Sequence, residues 1–239
     1  KVDQTPSNGE VSMATLVANS SFVDQIFKEI VWPARDRLMD NRYFTDLRNG
    51  KLTQRRLQGF SLEHTYFNWT LLKGTAIRML KAENLGAFRG NLSQISEERT
   101  HPDLCTKFGM AVGLTEADFE NHIPTNETLL HTSVIVASPL TINNAAAGRS
   151  SGMFNETLVQ RYSEEFATYL PKAPYNLSED DIEFFIVHGV VDIEHSAQAA
   201  EAVARIAQTD RDKELVWYSV RLQAKLKLAK FEGIYDAYA

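Results

Sequence analysis

Apolar residues recur at three- and four-residue steps along nearly the whole chain. This period is typical of helices that turn one apolar stripe toward a core. The stretch from Ala14 to Arg37 carries such a stripe, and Pro33 predicts a kink or break inside it. A second and longer stripe runs from Thr53 to about Lys81. No segment alternates with period two for long, so the pattern predicts an all-α protein.

Glycine, proline and capping residues divide the rest of the chain into further helices. Residues 84–90 predict a helix–helix connection, Pro102 a break just after His101, and residues 148–152 another interruption. Propensity alone also allows a short strand at 133–136. The remaining predicted helices cover 91–112, a short segment after Thr115, 128–147, 152–170, 179–207 and 210–235. We expect about seven helices in one domain over residues 13–239, after a disordered lead-in at residues 1–12.

Composition and charge narrow the function class. Apolar residues make up 44% of the chain, and the formal net charge of −6 argues against a generally basic nucleic-acid binder. No apolar run approaches the ~18 residues of a membrane span, and residues 1–10 lack the apolar core of a secretory signal. The single cysteine, Cys105, excludes an internal disulfide. We therefore expect a cytoplasmic protein that acts on a small molecule and binds neither nucleic acid nor membranes. Whether it is a monomer or a homodimer stays open.

Three ligand-type residues share one stripe of a predicted helix. At about 100° per residue, Asp192 and His195 lie about 40° and −20° around the helix from His188. The surrounding sequence is apolar, which predicts that this stripe is buried. Buried polar groups without partners are costly, and a metal ion would satisfy two imidazoles and a carboxylate together. A pair of histidines bonded to Asp192 and to carbonyl groups is the alternative.

Two further acidic positions complete the candidate site. Glu98 precedes His101 by three residues, as in the Glu-x-x-His unit of di-iron carboxylate bundles, and Glu97, four residues before His101, could take its place. Glu156 follows a stretch of small residues that leaves room for a ligand. Mixed nitrogen and oxygen ligands suit oxygen-binding iron better than structural zinc.

These motifs resemble those of the haem-oxygenase-like di-iron oxidases. The resemblance rests on Glu98-x-x-His101, on Glu156 about 55 residues later, and on His188-x-x-x-Asp192-x-x-His195, and it covers roughly residues 20–220. It implies a seven-helix bundle in which these six catalytic residues bind two Fe(II) ions, with O2 as cosubstrate. Several members place the first glutamate two helical turns before the histidine, where this chain has Gln94. The first ligand therefore stays open between Glu98 and Glu97.

Within that family, the length and overall sequence look like those of nitrile-forming members. This likeness implies an amino-acid substrate, a tryptophan with or without bromine, and an indole-3-carbonitrile product. Arg149 is a candidate for binding the substrate carboxylate, because guanidinium groups pair with carboxylates in a bidentate way. Gly152, Phe154 and Trp69 are the other candidate substrate-binding residues.

Four other functions remain open from the sequence. A thiamin-degrading hydrolase of the same fold would use Cys105 as its nucleophile, and a haem-binding protein would use His64. A di-iron oxidase for another amino acid or for a fatty acid would share the same ligands. A non-catalytic helical bundle would leave the stripe of His188, Asp192 and His195 unexplained.

Overall fold

The computed structural model describes residues 21–239, apart from the side chains of residues 190–196. The predicted lead-in at 1–12 and the start of the first predicted helix lie outside the described residues. Residues 21–26 are helical and continue into a π-helical turn, Phe27–Val31. Ten α-helices follow: α1 Trp32–Met39, α2 Arg42–Arg48, α3 Gln54–Leu80, α4 Leu85–Glu98, α5 His101–Ala111, α6 Glu116–Glu120, α7 Asn126–Thr141, α8 Ala145–Tyr169, α9 Glu183–Ile206 and α10 Asp210–Ala237.

The prediction of an all-α fold is confirmed, since none of the described residues forms a strand. The predicted count of seven helices is wrong, because local caps divide segments that the apolar pattern joins. Asn41 separates α1 from α2, and its side chain accepts a hydrogen bond from the Phe44 N–H at 3.2 Å. Residues 133–136 lie within α7, so the strand propensity there yields to the helical context.

Two predicted connections are helical instead. Of the predicted loop at 84–90, residues 85–90 belong to α4, because the Asn84 side chain caps the helix by accepting a bond from the Ala87 N–H at 2.9 Å. Residues 148–152 continue α8 without a break. The interruption falls earlier, at Asn143, which has a φ of 46°, and at Asn144, which caps α8. Asparagine therefore sets both boundaries.

The break near Pro102 lies before His101 instead of after it. Pro102 occupies the first turn of α5, where a missing N–H costs nothing because that donor has no partner within the helix. Glu98 therefore ends α4 and His101 begins α5, with residues 99 and 100 between them. This turn brings both side chains to one corner of the bundle.

The core is an aromatic cluster around Phe60 of α3. Its ring centroid lies 4.9 Å from that of Phe166, 5.4 Å from that of Phe185 and 6.0 Å from that of Phe231. These partners come from α8, α9 and α10, so one side chain joins four helices. Helices α8 and α9 also pack along one another. This arrangement fixes the position of α9 against the junction of α4 and α5.

Candidate iron site

Three of the predicted ligands lie in contact at the junction of α4, α5 and α9. The Oε2 atom of Glu98 is 2.5 Å from Nδ1 of His101, and Nε2 of His188 is 3.2 Å from the same nitrogen. Glu98 and His101 are neighbours in the chain, whereas His188 comes from a helix 87 residues further on. The fold therefore places two acceptors on one imidazole nitrogen.

The ring of His188 is held in a fixed orientation. Its Nδ1–H donates a hydrogen bond of 2.6 Å to the carbonyl oxygen of Phe184, one turn earlier in α9. Because a carbonyl oxygen only accepts, this bond places the hydrogen on Nδ1 and leaves a lone pair on Nε2. The Phe184 ring lies beside the His188 ring, with centroids 4.2 Å apart. A hydrogen bond from the other ring nitrogen to a carbonyl group is what commonly orients histidine ligands in metal sites.

The contact is largely shielded from solvent. His188 is 5% exposed, and the side chains of His101 and Glu98 are 15% and 12% exposed. An imidazole N–H between a carboxylate and a second imidazole is satisfied there without water. A cation could take the place of that hydrogen, since metal binding to histidine releases protons.

The remaining predicted ligands are only partly described. The side chains of Asp192 and His195 lie outside the described residues, although both positions belong to α9. Glu156 is half-buried on α8, and its charge raises the pKa of Lys227 against the effect of burial. The described side chains alone include no group of three or more His, Cys, Asp or Glu that could hold a metal ion. The six-ligand set stays a prediction.

The two candidates for the first ligand have different surroundings. Glu98 contacts His101, whereas Glu97 is exposed and accepts a hydrogen bond of 2.8 Å from the Ser93 hydroxyl within α4. The turn before His101 explains the difference, because it aims the last residue of α4 at the start of α5. The geometry favours Glu98.

The predicted substrate-binding residues occupy different environments. Arg149 and Gly152 share the face of α8 that carries Glu156, and a Cβ added at Gly152 would meet no described atom within 4 Å. Phe154 is fully buried in the aromatic core, while Trp69 is 53% exposed on α3. Arg149 and Gly152 are therefore the better placed of the four.

Arg149 has a cationic neighbour, Arg78 of α3. Burial, together with the smaller effect of the charge of Arg149, lowers the pKa of Arg78 to about 10. Among the described residues, neither guanidinium forms a salt bridge. The two arginines therefore make this end of the Glu156 face electropositive.

The structure disfavours two of the alternatives. Cys105 is fully buried, and burial raises its pKa to about 12, so at neutral pH it is an unreactive thiol. Both ring nitrogens of His64 have partners. Nε2 lies 3.1 Å from the Tyr162 hydroxyl, and Nδ1 lies 3.0 Å from Nζ of Lys230. Cys105 is therefore not placed to act as a nucleophile, and His64 does not offer a nitrogen to haem.

Sequence reasoning missed a group of buried polar residues behind this site. Lys227 and Lys230 of α10 are both fully buried, and their Nζ atoms lie 4.5 Å and 4.4 Å from the ring centroid of Phe67. Burial lowers the pKa of Lys227 well below its ordinary value and that of Lys230 to about 7. The sequence feature that could have indicated their burial is the position of two lysines, three residues apart, within an apolar helical stripe.

We expect Lys230 to make the stability of the protein depend on pH. The unfolded chain keeps the ordinary lysine pKa, so above pH 7 it binds more protons than the folded protein. The free energy of unfolding should therefore rise with pH, by up to about 1.4 kcal/mol per unit for this residue. Lys230→Met should remove that contribution between pH 7 and 8.5, as measured by urea unfolding.

The groups that face Lys230 are His64 and Glu63 of α3, Cys105 of α5 and Lys227 of α10. They remain in the variant, so the difference in slope reports on Lys230. Lys225→Met, at an exposed position of the same helix, is the matched control and should leave the slope unchanged. Equal slopes for the wild type and Lys230→Met would show that Lys230 titrates normally.

No helix within the described residues combines the length and apolar character that a membrane span requires. The chain has the same fold as several solved structures. A domain of unknown function with a haem oxygenase-like fold from Shewanella denitrificans is 14% identical, with a TM-score of 0.75, covering 96% of this chain and 94% of that one. A TenA homologue from Pseudomonas syringae is 15% identical, with a TM-score of 0.73 and coverages of 98% and 100%. A TenA homologue from Pyrococcus furiosus is 13% identical, with a TM-score of 0.75 and coverages of 89% and 99%.

At these identities the solved structures establish the fold alone, and no curated protein matches the chain by sequence. A family model described as an iron-containing redox enzyme of the haem-oxygenase-like type matches residues 61–227. The matched segment includes Glu98, His101, Glu156 and the whole of the His188 motif. Because this match covers most of a chain that has the haem-oxygenase-like fold, the protein belongs to that family of iron-containing redox enzymes.

Proposed function

We propose that the protein is a non-haem di-iron oxidase that uses O2 and acts on an amino acid. The observation that carries the proposal is the meeting of Glu98 and His188 at Nδ1 of His101. The proposed ligands are Glu98, His101, Glu156, His188, Asp192 and His195.

The chemistry of the contact fits iron. Two ligands at about 2.1 Å from an ion and at right angles to each other lie about 3 Å apart. The 3.2 Å between the nitrogens of His188 and His101 is close to this spacing, whereas the 2.5 Å between Glu98 and His101 would have to lengthen when the ion replaces the hydrogen. The lone pair on Nε2 of His188 is already directed at the contact, because Nδ1 is bonded to the Phe184 carbonyl. Three carboxylates against two Fe(II) ions leave a formal charge of about +1, which an anionic substrate can neutralise.

When bound, the iron pair would supply electrons to O2. The residues of the chain would orient the ligands, exclude water and bind the substrate. His188 and Phe184 fix the direction of one ligand, and the aromatic core behind them excludes water from oxidised intermediates. A Cβ at Gly152, on the face of Glu156, would meet no described atom within 4 Å, and we expect a flat aromatic substrate to bind on this side of α8.

Tryptophan or a brominated tryptophan is the proposed substrate, and indole-3-carbonitrile the proposed product. Loss of the carboxyl carbon alone would leave indole-3-acetonitrile. Indole-3-carbonitrile also lacks the α-carbon, so its formation requires a new bond between the nitrogen and the β-carbon and cleavage of the bonds from the α-carbon to both atoms. The mass of the product therefore identifies which carbon–carbon bonds break. Other amino acids and fatty acids are the alternative substrates.

The test is anaerobic reconstitution with Fe(II), followed by tryptophan or 5-bromotryptophan and O2. We expect about two iron ions per chain, substrate-dependent O2 uptake and the matching carbonitrile by mass spectrometry. Iron binding without O2 uptake on either compound would remove the tryptophan assignment. A chain that retains no iron would contradict the di-iron proposal itself.

The first ligand is tested by a pair of neighbouring variants. We expect Glu98→Gln to lower the bound iron to about half or less, because the amide is a neutral and weaker ligand beside His101. Glu97→Gln should retain the iron of the wild type, since its side chain bonds only within α4 in the described contacts. Metal analysis of both proteins decides, and the reverse result would assign the ligand to Glu97.

A further inference from the structure

Four buried side chains from three helices form what we call the head-group cluster: His131 of α7, Asn155 of α8, and Gln223 and Lys227 of α10. The Nε2 atom of His131 lies 2.8 Å from Oε1 of Gln223, and Nδ2 of Asn155 lies 3.4 Å from the same oxygen. Lys227 follows Gln223 by one helical turn. All four are at most 7% exposed.

The cluster holds polar atoms without partners among the described residues. Gln223 Oε1 can only accept, so it takes hydrogens from Nε2 of His131 and Nδ2 of Asn155. This leaves Nδ1 of His131 and Oδ1 of Asn155 as buried acceptors without a donor, and Nζ of Lys227 as a buried donor without an acceptor. Buried polar atoms in this state are costly and point to a polar ligand or to water at the cluster.

The unused atoms match the two charged groups of a free α-amino acid. An amino group donates hydrogen bonds, as Nδ1 of His131 and Oδ1 of Asn155 require, and a carboxylate accepts them, as Lys227 requires. A fatty acid would satisfy the lysine and leave both acceptors unpaired.

The cluster adjoins the candidate iron site. Asn155 precedes Glu156 in α8, and the Glu156 carboxylate is near enough to act on the charge of Lys227. In an α-amino acid the carboxylate and the amino group share one carbon, so the cation that binds the carboxylate must lie near the reacting nitrogen. Arg149 lies two turns from Glu156, about 10 Å along the helix axis. Lys227 is therefore better placed than Arg149.

We propose that the head-group cluster binds the amino and carboxylate groups of the substrate, with Lys227 on the carboxylate and His131 and Asn155 on the amino group. This inference rests on the proposed function for its substrate class. It assigns the carboxylate to a residue that the motifs did not indicate.

The experiment measures binding to the iron-free protein by titration calorimetry. The probes are L-tryptophan, tryptamine, which lacks the carboxylate, and indole-3-propionate, which lacks the amino group. We expect both analogues to bind about tenfold or more weakly than L-tryptophan. Lys227→Met should weaken the binding of L-tryptophan by about the same factor and leave the binding of tryptamine unchanged. Its circular dichroism should show the helical content of the wild type.

Lys225→Met is the matched control on the exposed face of α10 and should bind all three probes like the wild type. Equal binding of L-tryptophan by the wild type and Lys227→Met, or loss of binding in Arg149→Met alone, would overturn the assignment. The assignment would also be overturned if none of the twenty standard amino acids bound to the protein. Because iron is left out, failure of the di-iron proposal does not change this measurement.

Discussion

Replacing His188 with alanine should remove iron binding and lower activity by about a hundredfold or more. Changes in residues that merely orient metal ligands cost about 10- to 100-fold, and loss of a direct ligand should cost at least as much. His188 is buried, aimed by the Phe184 carbonyl and in contact with His101, so no other described side chain replaces its lone pair. Iron content and O2 uptake are the measurements.

The control is Ile186→Ala on the exposed side of the same helix, which should retain both iron and activity. Circular dichroism should show that His188→Ala keeps its helices, since the ring contacts around Phe60 are unchanged. A His188→Ala protein with full iron content and full activity would exclude this residue as a ligand.

Replacing Phe60 with alanine should cost about 3–5 kcal/mol of unfolding free energy. Its ring is fully buried and contacts rings from α8, α9 and α10, so its removal leaves a cavity that several helices would have to close together. At about 2–4 °C per kcal/mol for a chain of this size, the melting temperature should fall by about 10 °C. Thermal and urea unfolding measure the loss.

Leu80→Ala provides the comparison at the other end of the same helix. Leu80 is 80% exposed, and its replacement should change stability by no more than about 0.5 kcal/mol. Similar losses for the two variants would mean that the aromatic cluster is not the centre of the core. The pair separates burial from helix propensity, since both substitutions introduce alanine into α3.

The local pattern of apolar residues predicts which segments are helical better than it predicts where each helix begins and ends. The long stripe after Thr53 predicts α3 to within a residue or so, because the Thr53 side chain caps it and the apolar period continues for 27 residues. The glycines at 86, 90, 148 and 152 suggested loops that are helical. Asn84 and Asn144 decide those boundaries by capping, and tertiary packing stabilises the helices despite the glycines.

The candidate site divides in the same way. The sequence by itself determined the donor types and placed both Glu97 and Glu98 within about one helical turn of His101. Only the tertiary structure decided that His188 meets His101, and that Glu98 faces it while Glu97 faces solvent. The buried lysines show most clearly what the sequence alone does not determine. Lysine in a helix normally reaches water, and only the packing of α10 against α3 and α8 reveals that Lys227 and Lys230 do not.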